Sequence, residues 1–524
     1  MKNHIWRGLI LLAALLIALQ SFNMLVLAET KRSGVTYYVD SRNGSDFYDG
    51  KSQNKAWKSI RKVNQTTFKP GDTILFKAGS NWSGQLAPKG SGSPEEPIII
   101  DMYGEGNKPI ITAAYDERAD AGTPSRYYAF QLRNQQYWEI NNLEISGNSD
   151  PNCVRGMVVF VKDEGTMNHI YIKKCFVHDI AGDIENKVHG GIMYIQEGYT
   201  VKSNFNDILI EDNLVMNVDR TAITTDAYQS WNNRKPEEPG VKEWYPSTNV
   251  VIRGNFVDNI GGDGIVVKTA TKAIVEYNIA KDCNKRSTSA NVAIWCYNTD
   301  DSVIQYNEAY LTRNTQDGQG YDSDYMCNNS LFQYNYSHDN VGGFMLMCVP
   351  GDDFNYTTTV RYNISQNDRT RIFMISGGPK YCEVYNNTIY IGPGLNTKPV
   401  NYWAWSGGAP EDVNYRNNIF YNLGTGDWVV SDPQENFFEC NIYYGNHDPS
   451  EPEDAMKITD DPMLAAPGSG GLGIDSVDGY KLKVGSPAIG TGVVIPNNGG
   501  KDYWGNPVSE TERPNIGAYN GPGI

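Results

Sequence analysis

Two aspartates one residue apart, in the phrase Tyr321-Asp322-Ser323-Asp324-Tyr325, are the side chains best suited by type and spacing to do chemistry. Aspartate is disfavoured in strands, yet on a short strand Asp322 and Asp324 would share one face with Cα atoms about 6.6 Å apart. Neighbouring carboxylates repel, which raises one pKa and makes an acid and a base from identical side chains. Glycoside hydrolysis uses such a pair, with carboxyl groups about 5–5.5 Å apart for retention and about 6.5–9.5 Å for inversion. The spacing in sequence leaves that choice open. Two plainer readings compete: a polar strand edge, and a calcium site completed by Asp317.

Other candidates gather around this pair if the segments Thr221–Tyr228, Gly262–Thr269, Asn291–Asn298, Gly320–Cys327 and Gly342–Cys348 are equivalent strands. With Ile223, Ile265, Ile294 and Tyr321 pointing inward, alternation sends Asp226, Lys268, Trp295, Tyr297, Asp322 and Asp324 outward. Lys268 and Asp226 are the next catalytic candidates, since a lysine with a lowered pKa could abstract a proton α to a carboxyl group. The plain alternative is a solvated ion pair. Asp263 lies in a Gly-Gly-Asp-Gly stretch, where aspartate also serves turns. His338 is expected at the turn before the Gly342–Cys348 strand, as a proton shuttle, a hydroxyl contact or a hydrogen-bonded turn residue. Arg220, Arg369 and Arg371 are equally open. Trp295, Tyr297 and Tyr325 offer ring faces on which the C–H faces of sugars pack. More aromatics stand in an insertion from Tyr228 to Thr248, with Trp231 and Trp244, and at Trp403 and Trp405.

The elements that must position these residues are written in a repeat. An apolar residue, two mostly polar residues and an Asn recur at Asn213, Asn255, Asn278, Asn307, Asn335, Asn363, Asn387, Asn418 and Asn441. The spacings are 42, 23, 29, 28, 28, 24, 31 and 23 residues, with degenerate copies at Leu143 and Cys175. Variable periods in this range mark a solenoid. Each unit is a short β-branched run, a turn and a second short strand. The predicted fold is therefore all-β: a right-handed parallel β-helix of about 10–12 coils. The Asn belongs at the bend, where its amide bonds the turn and tolerates left-handed dihedrals, and stacked copies would form a ladder.

The 524 residues carry a formal net charge of −16 and no basic run, which argues against nucleic acid or anionic membranes as partners. Lys2, His4 and Arg7, the apolar run Leu9 to Leu19 and Val26-Leu27-Ala28 read as a secretory signal peptide over 1–28. A secreted, extracellular monomer free of the membrane after cleavage is expected. The eight cysteines have no C-x-x-C spacing and read as free buried thiols, with Cys296, Cys327 and Cys348 expected to stack in neighbouring coils. Six histidines form no zinc motif. No cofactor is expected. A structural calcium has donors in the loop Asp46-Phe47-Tyr48-Asp49-Gly50, which equally reads as a plain turn.

The flanks divide the mature chain into a cap with first coils (29–136), a core (137–450) and a C-terminal cap (451–524). The helix-spaced Ala56–Val63 would plug the core from the first segment. Three phrases at these ends, YYVDSRNGSD, KPGDTILFKAG and SPAIGTG…NIGAY, resemble those of secreted bacterial β-helix proteins that act on polysaccharides. The likeness is greatest to glycoside hydrolase family 141, whose members include a xylanase and an α-fucosidase. It is less to the β-helical polysaccharide lyases of families 6 and 9. The resemblance covers nearly the whole mature chain and implies carboxylate catalysis in a central groove. A secreted hydrolase of plant or microbial polysaccharide, xylan-like at first guess, is the leading expectation. A calcium-dependent lyase of pectate or alginate type with Lys268 as base is the alternative, and a non-catalytic carbohydrate-binding surface protein the third.

Overall fold

The computed structural model describes residues 33–119, 122–228, 234, 244–351, 353–431 and 436–524. The proposed signal peptide and Trp231 lie outside them. The alternating apolar runs form short strands that stack in parallel into a β-helix, with one sheet of 27 strands and another of 13. Among the described residues the one antiparallel strand pair is Gly122–Thr123 with Arg126–Arg133. In the thirteen-stranded sheet, Asn81–Ser83 and Ile110–Thr112 precede the first copy of the Asn phrase, so the coils start earlier than that repeat reveals.

The register follows the inward row. Ile223, Ile265, Ile294, Tyr321, Met345, Phe373 and Val400 are Cα partners in successive strands, and each is at most 1% exposed. Burying a row of large apolar side chains contributes on the order of 2 kcal/mol per residue. A one-residue slip would turn the whole row to solvent, so the core fixes the register.

The Asn ladder runs unbroken from Asn213 to Asn441. Each Nδ2 donates to the Oδ1 of the next copy at 2.9–3.1 Å. Each of these Oδ1 atoms also takes a backbone N–H of the preceding coil, as in Asn307 N to Asn335 Oδ1 at 3.0 Å. Asp454 ends the ladder by accepting from the backbone N–H and Nδ2 of Asn441. The left-handed backbone is not on the Asn itself, as the sequence had suggested. It falls on the residue before, with φ of 55° at Tyr277, 53° at Tyr306, 57° at Tyr334 and 51° at Tyr362. The amide thus satisfies the backbone around a bend that its neighbour makes.

The two flanks pack differently. The helix Ile60–Asn64, capped by Ser59, buries Ile60 and Val63 in the main core. Asp46 braces it: one carboxylate oxygen accepts from the N–H groups of Lys58 and Ser59 and the other from the Ser59 hydroxyl. The plain-turn reading accounts for those oxygens. Residues 451–524 contain no strand and run back along the thirteen-stranded sheet, where Leu464, Tyr480, Leu482 and Ile516 cover Tyr336, Ile364 and Ile442. All eight cysteines are free and buried. Cys296 and Cys327 meet in the core with sulfurs 3.8 Å apart. Cys348 does not join them: Met345 and Met347 point inward, so alternation turns Cys348 outward.

Candidate active site

The outward row beside the core row is Thr224, Val266, Trp295, Asp322, Leu346, Met374 and Asn401, again as successive Cα partners. Its middle forms the floor of a cavity of about 340 Å³, lined among others by Asp263, Trp295, Asp317, Asp322, Asp324 and Tyr325. That volume suits a small ligand. Of the sequence candidates, the structure brings Asp322, Asp324, Asp263, Trp295 and Tyr325 to this cavity.

Asp322 sits on the strand Gln319–Ser323, fully under its neighbours at 4% exposure. Burial first, then Asp324 and Asp317, push its carboxyl well above the usual range. Asp324 follows where the strand ends. Burial raises it too, opposed by the Cys348 thiol, which donates to Oδ1 at 2.9 Å, and by the Tyr325 N–H at 2.8 Å. One oxygen of each carboxyl and the Cys348 sulfur lie within 4.8 Å of one another, and these three residues could hold a metal ion.

Asp317 lies on the loop before the strand. Burial and the nearby Asp324 push it up to about 6, against the pull of Arg371 and Lys187. Arg371 fixes the loop by donating to the carbonyls of Gln316 and Asp317 at 3.1 and 3.3 Å. Gly342 permits the approach, since a Cβ there would stand 1.7 Å from the Asp317 carbonyl oxygen. Three carboxyl groups buried together in one cavity do not all ionise together, so protons are retained near neutral pH.

Asp263 is buried and charge-paired. Arg220 Nη1 stands 3.2 Å from Oδ2, and Oδ1 accepts from Trp295 Nε1 at 3.0 Å and the Val292 N–H at 3.2 Å. It orients the Trp295 ring. Two loops close the rim. Glu185 accepts from the Ser287 hydroxyl at 2.7 Å and the Thr288 N–H at 2.9 Å, 102 and 103 residues away in the chain. This clasp presents Lys187, whose Nζ donates to the Ala290 carbonyl at 3.1 Å, sits 3.8 Å from Asp263 Oδ2 and lies over the Trp295 ring at 5.0 Å. On the other side Trp403 and Trp405 stack 6.4 Å apart, and Trp405 meets the edge of Tyr325 at 6.3 Å.

Arg220, Arg369 and Arg371 do not line the cavity, and neither do Lys268, Asp226, Tyr297 and His338. Lys268 and Asp226 bind each other at 2.9 Å, and Tyr228 donates to the same Asp226 oxygen at 2.7 Å. Tyr297 stands behind Tyr325, edge-on at 4.9 Å. His338 is not at the turn that the sequence suggested. It lies on Tyr336–His338 in the thirteen-stranded sheet, because the chain enters that strand directly after Asn335 and turns only at Asp339. There it stacks between Tyr310 and Tyr336 and contacts Glu308 at 3.2 Å and Asp339 at 2.9 Å. Lys187 carries no motif. Its one trace in sequence is the long spacing of 38 residues between Cys175 and Asn213, which holds the loop.

A stacked-coil scaffold with an acidic, aromatic pocket in mid-solenoid defines a parallel β-helix protein with a built ligand site. No family model matches the chain. It is similar to a lacto-N-biosidase of Bifidobacterium longum subsp. longum, 28% identical over 600 aligned positions covering 94% of this chain. The chain spans about a third of that relative's length (36%). Among solved structures it is similar to a GH136 lacto-N-biosidase from Eubacterium ramulus, with 25% identity, a TM-score of 0.58 and coverage of 77% of this chain and 67% of that one. The xylose complex of XylC shares the fold, with 13% identity, a TM-score of 0.51 and 93% and 98% coverage.

Proposed function

We propose that this chain is a glycoside hydrolase acting on a carbohydrate of the lacto-N-biosidase type, with Asp317 as general acid and Asp324 as the ionised partner. The observation that carries this reading is the pairing itself: a carboxyl held at about 6 faces the same cavity as one that burial also raises but that a thiol and an N–H donor pull back down. Asp317 would protonate the glycosidic oxygen. Asp324 would meet the positive charge that develops at the anomeric carbon, as nucleophile or as base on water. Asp322, pushed furthest up, would keep its proton and hold Asp317 up in turn. Trp295, Trp403, Trp405 and Tyr325 would receive the sugar rings.

The sequence similarity to lacto-N-biosidase supports this substrate over the xylan-like first guess. Lys268, the base a lyase would need, is occupied by Asp226. We also propose export, on the signal-like composition of 1–28. The test is release of para-nitrophenol from a para-nitrophenyl lacto-N-bioside, run beside reducing-end and ultraviolet assays on xylan, pectate and alginate. Turnover of the bioside that falls at least about 10²-fold in Asp324→Asn is expected. Unsaturated products absorbing in the ultraviolet would overturn the hydrolase reading, and binding without turnover would leave the surface-protein alternative.

A further inference from the structure

Cys348 is the one cysteine lining the cavity, and its surroundings are unlike those of a structural thiol. Its sulfur stands 2.9 Å from Asp324 Oδ1 and 3.9 Å from Asp322 Oδ1. A tetrahedral ion with oxygen ligands at about 2.1 Å and sulfur at about 2.3 Å sets those atoms about 3.6 Å apart. The two distances bracket that value, so small side-chain rotations would place all three donors on one ion. Asp322 gives a second, independent sign. It is 4% exposed and aimed into the cavity, yet among the described residues its carboxyl receives no hydrogen bond from any nitrogen or hydroxyl. A buried carboxyl group whose one protein donor is a long thiol contact keeps acceptor capacity for a ligand in the cavity.

We propose that Asp322, Asp324 and Cys348 form a site for a soft divalent cation of the zinc type, and that its occupancy shuts the candidate active site. The thiol selects the ion. Calcium takes six to eight oxygen ligands and magnesium a near-ideal octahedron of them, whereas one thiolate with two carboxylates suits zinc, cadmium or cobalt(II). Three protein donors leave a fourth position facing the cavity, for water. Binding displaces the thiol proton and any carboxyl proton into solvent. The inhibitory half rests on the role proposed above for Asp324, while the binding half does not.

Cobalt(II) titrated into the full chain separates the two. A thiolate-to-cobalt charge-transfer band in the near ultraviolet, saturating at one equivalent and reversed by zinc, is expected. Cys348→Ser should abolish the band, and Asp322→Asn should weaken binding at least about tenfold, with circular dichroism confirming that both variants fold. No band, or a band that survives Cys348→Ser, would overturn the site. Zinc should then stop glycoside turnover in the wild type at concentrations about tenfold or more below those that affect Cys348→Ser, each rate taken relative to that protein without metal. A cobalt band without inhibition by zinc would keep the site and overturn the inhibition, and with it the place given to Asp324.

Discussion

At the residue scale the decisive fact is that, beside the Arg220-paired Asp263, three more aspartates share one cavity but not one environment. Asp322 is enclosed by the sheet, Asp324 keeps two donors on its Oδ1, and Asp317 rides a loop pinned by Arg371. Their proton affinities are therefore spread, which is how identical side chains divide acid and base work. The spread has a sign that can be measured. A general acid must be protonated, so kcat should fall as pH rises through about 6, where Asp317 loses its proton. Asp317→Asn should cost about 10²–10⁴-fold in turnover of an unactivated substrate, and its residual activity should lose that high-pH limb. A pH–rate profile in which the limb survives in Asp317→Asn would assign the acid to another group. The pair Asp322 and Asp324 was legible in sequence because aspartate on one face of a strand conflicts with its propensity. Asp317 was visible as a third carboxyl but not as the acid proposed above. Its burial depends on Gly342 and Arg371, which come 25 and 54 residues later and reach it only through the fold.

At the scale of the elements, the Asn phrase carried the register and hence the inward and outward rows. Ile223, Ile265, Ile294 and Tyr321 could be assigned before any coordinates because each coil restarts its count from the same residue. The cost of breaking the ladder should be large for an exchange of one side chain. Asn335→Ala removes the acceptor of the Asn307 N–H and Nδ2 and the donor to the Ile304 carbonyl, all buried. Stranding such groups costs about 1–3 kcal/mol each, so a loss of about 3 kcal/mol or more is expected from denaturant titration. A loss below about 1 kcal/mol would mean that water enters the bend. The strand pairings did not tell which turn faces the pocket, and His338 shows why. The bends at Tyr334 and Asp339 flank the Tyr336–His338 strand, and spacing alone does not say which of them leads to the pocket. His338 instead serves stability. Burial lowers its pKa, but Asp339 and Glu308 overcome this and raise it to about 9. A raised pKa stabilises the fold fully below the unfolded value of about 6.5 and loses that contribution as pH climbs toward about 9. The stability gap between wild type and His338→Gln should thus shrink, by on the order of 1–3 kcal/mol, between pH 6 and pH 9.5. A gap that stays constant across that range would show that folding leaves the imidazole's proton affinity unchanged.

For the whole molecule, the solenoid supplies a rigid wall and the insertions supply the pocket. The repeat encodes the wall locally, in units of 23–42 residues. The pocket depends on contacts such as Glu185 to Ser287 that join separate coils, so Lys187 could not be placed from its own neighbourhood. The C-terminal segment obeys the same logic. Tyr336, Ile364, Tyr390, Ile419 and Ile442 form an apolar stripe on the outer face of the thirteen-stranded sheet, and residues beyond Asp461 cover it with Leu464, Val477, Tyr480, Leu482, Ala488, Ile516, Ala518 and Tyr519. The cover is also tied by polar contacts: Tyr480 donates to Gln366 at 2.7 Å, and the Gly473 N–H donates to Glu308 at 2.8 Å, beside His338. A chain ending at Asp461 keeps Asp454 on the last rung of the ladder but bares the stripe. A contiguous exposed apolar face of that kind drives association. The truncated chain should bind a hydrophobic dye, self-associate in sedimentation and unfold well below the full chain. If it stays monomeric with an unchanged transition, the coils alone bury enough, and the last 63 residues are an addition to the solenoid rather than part of its folding unit.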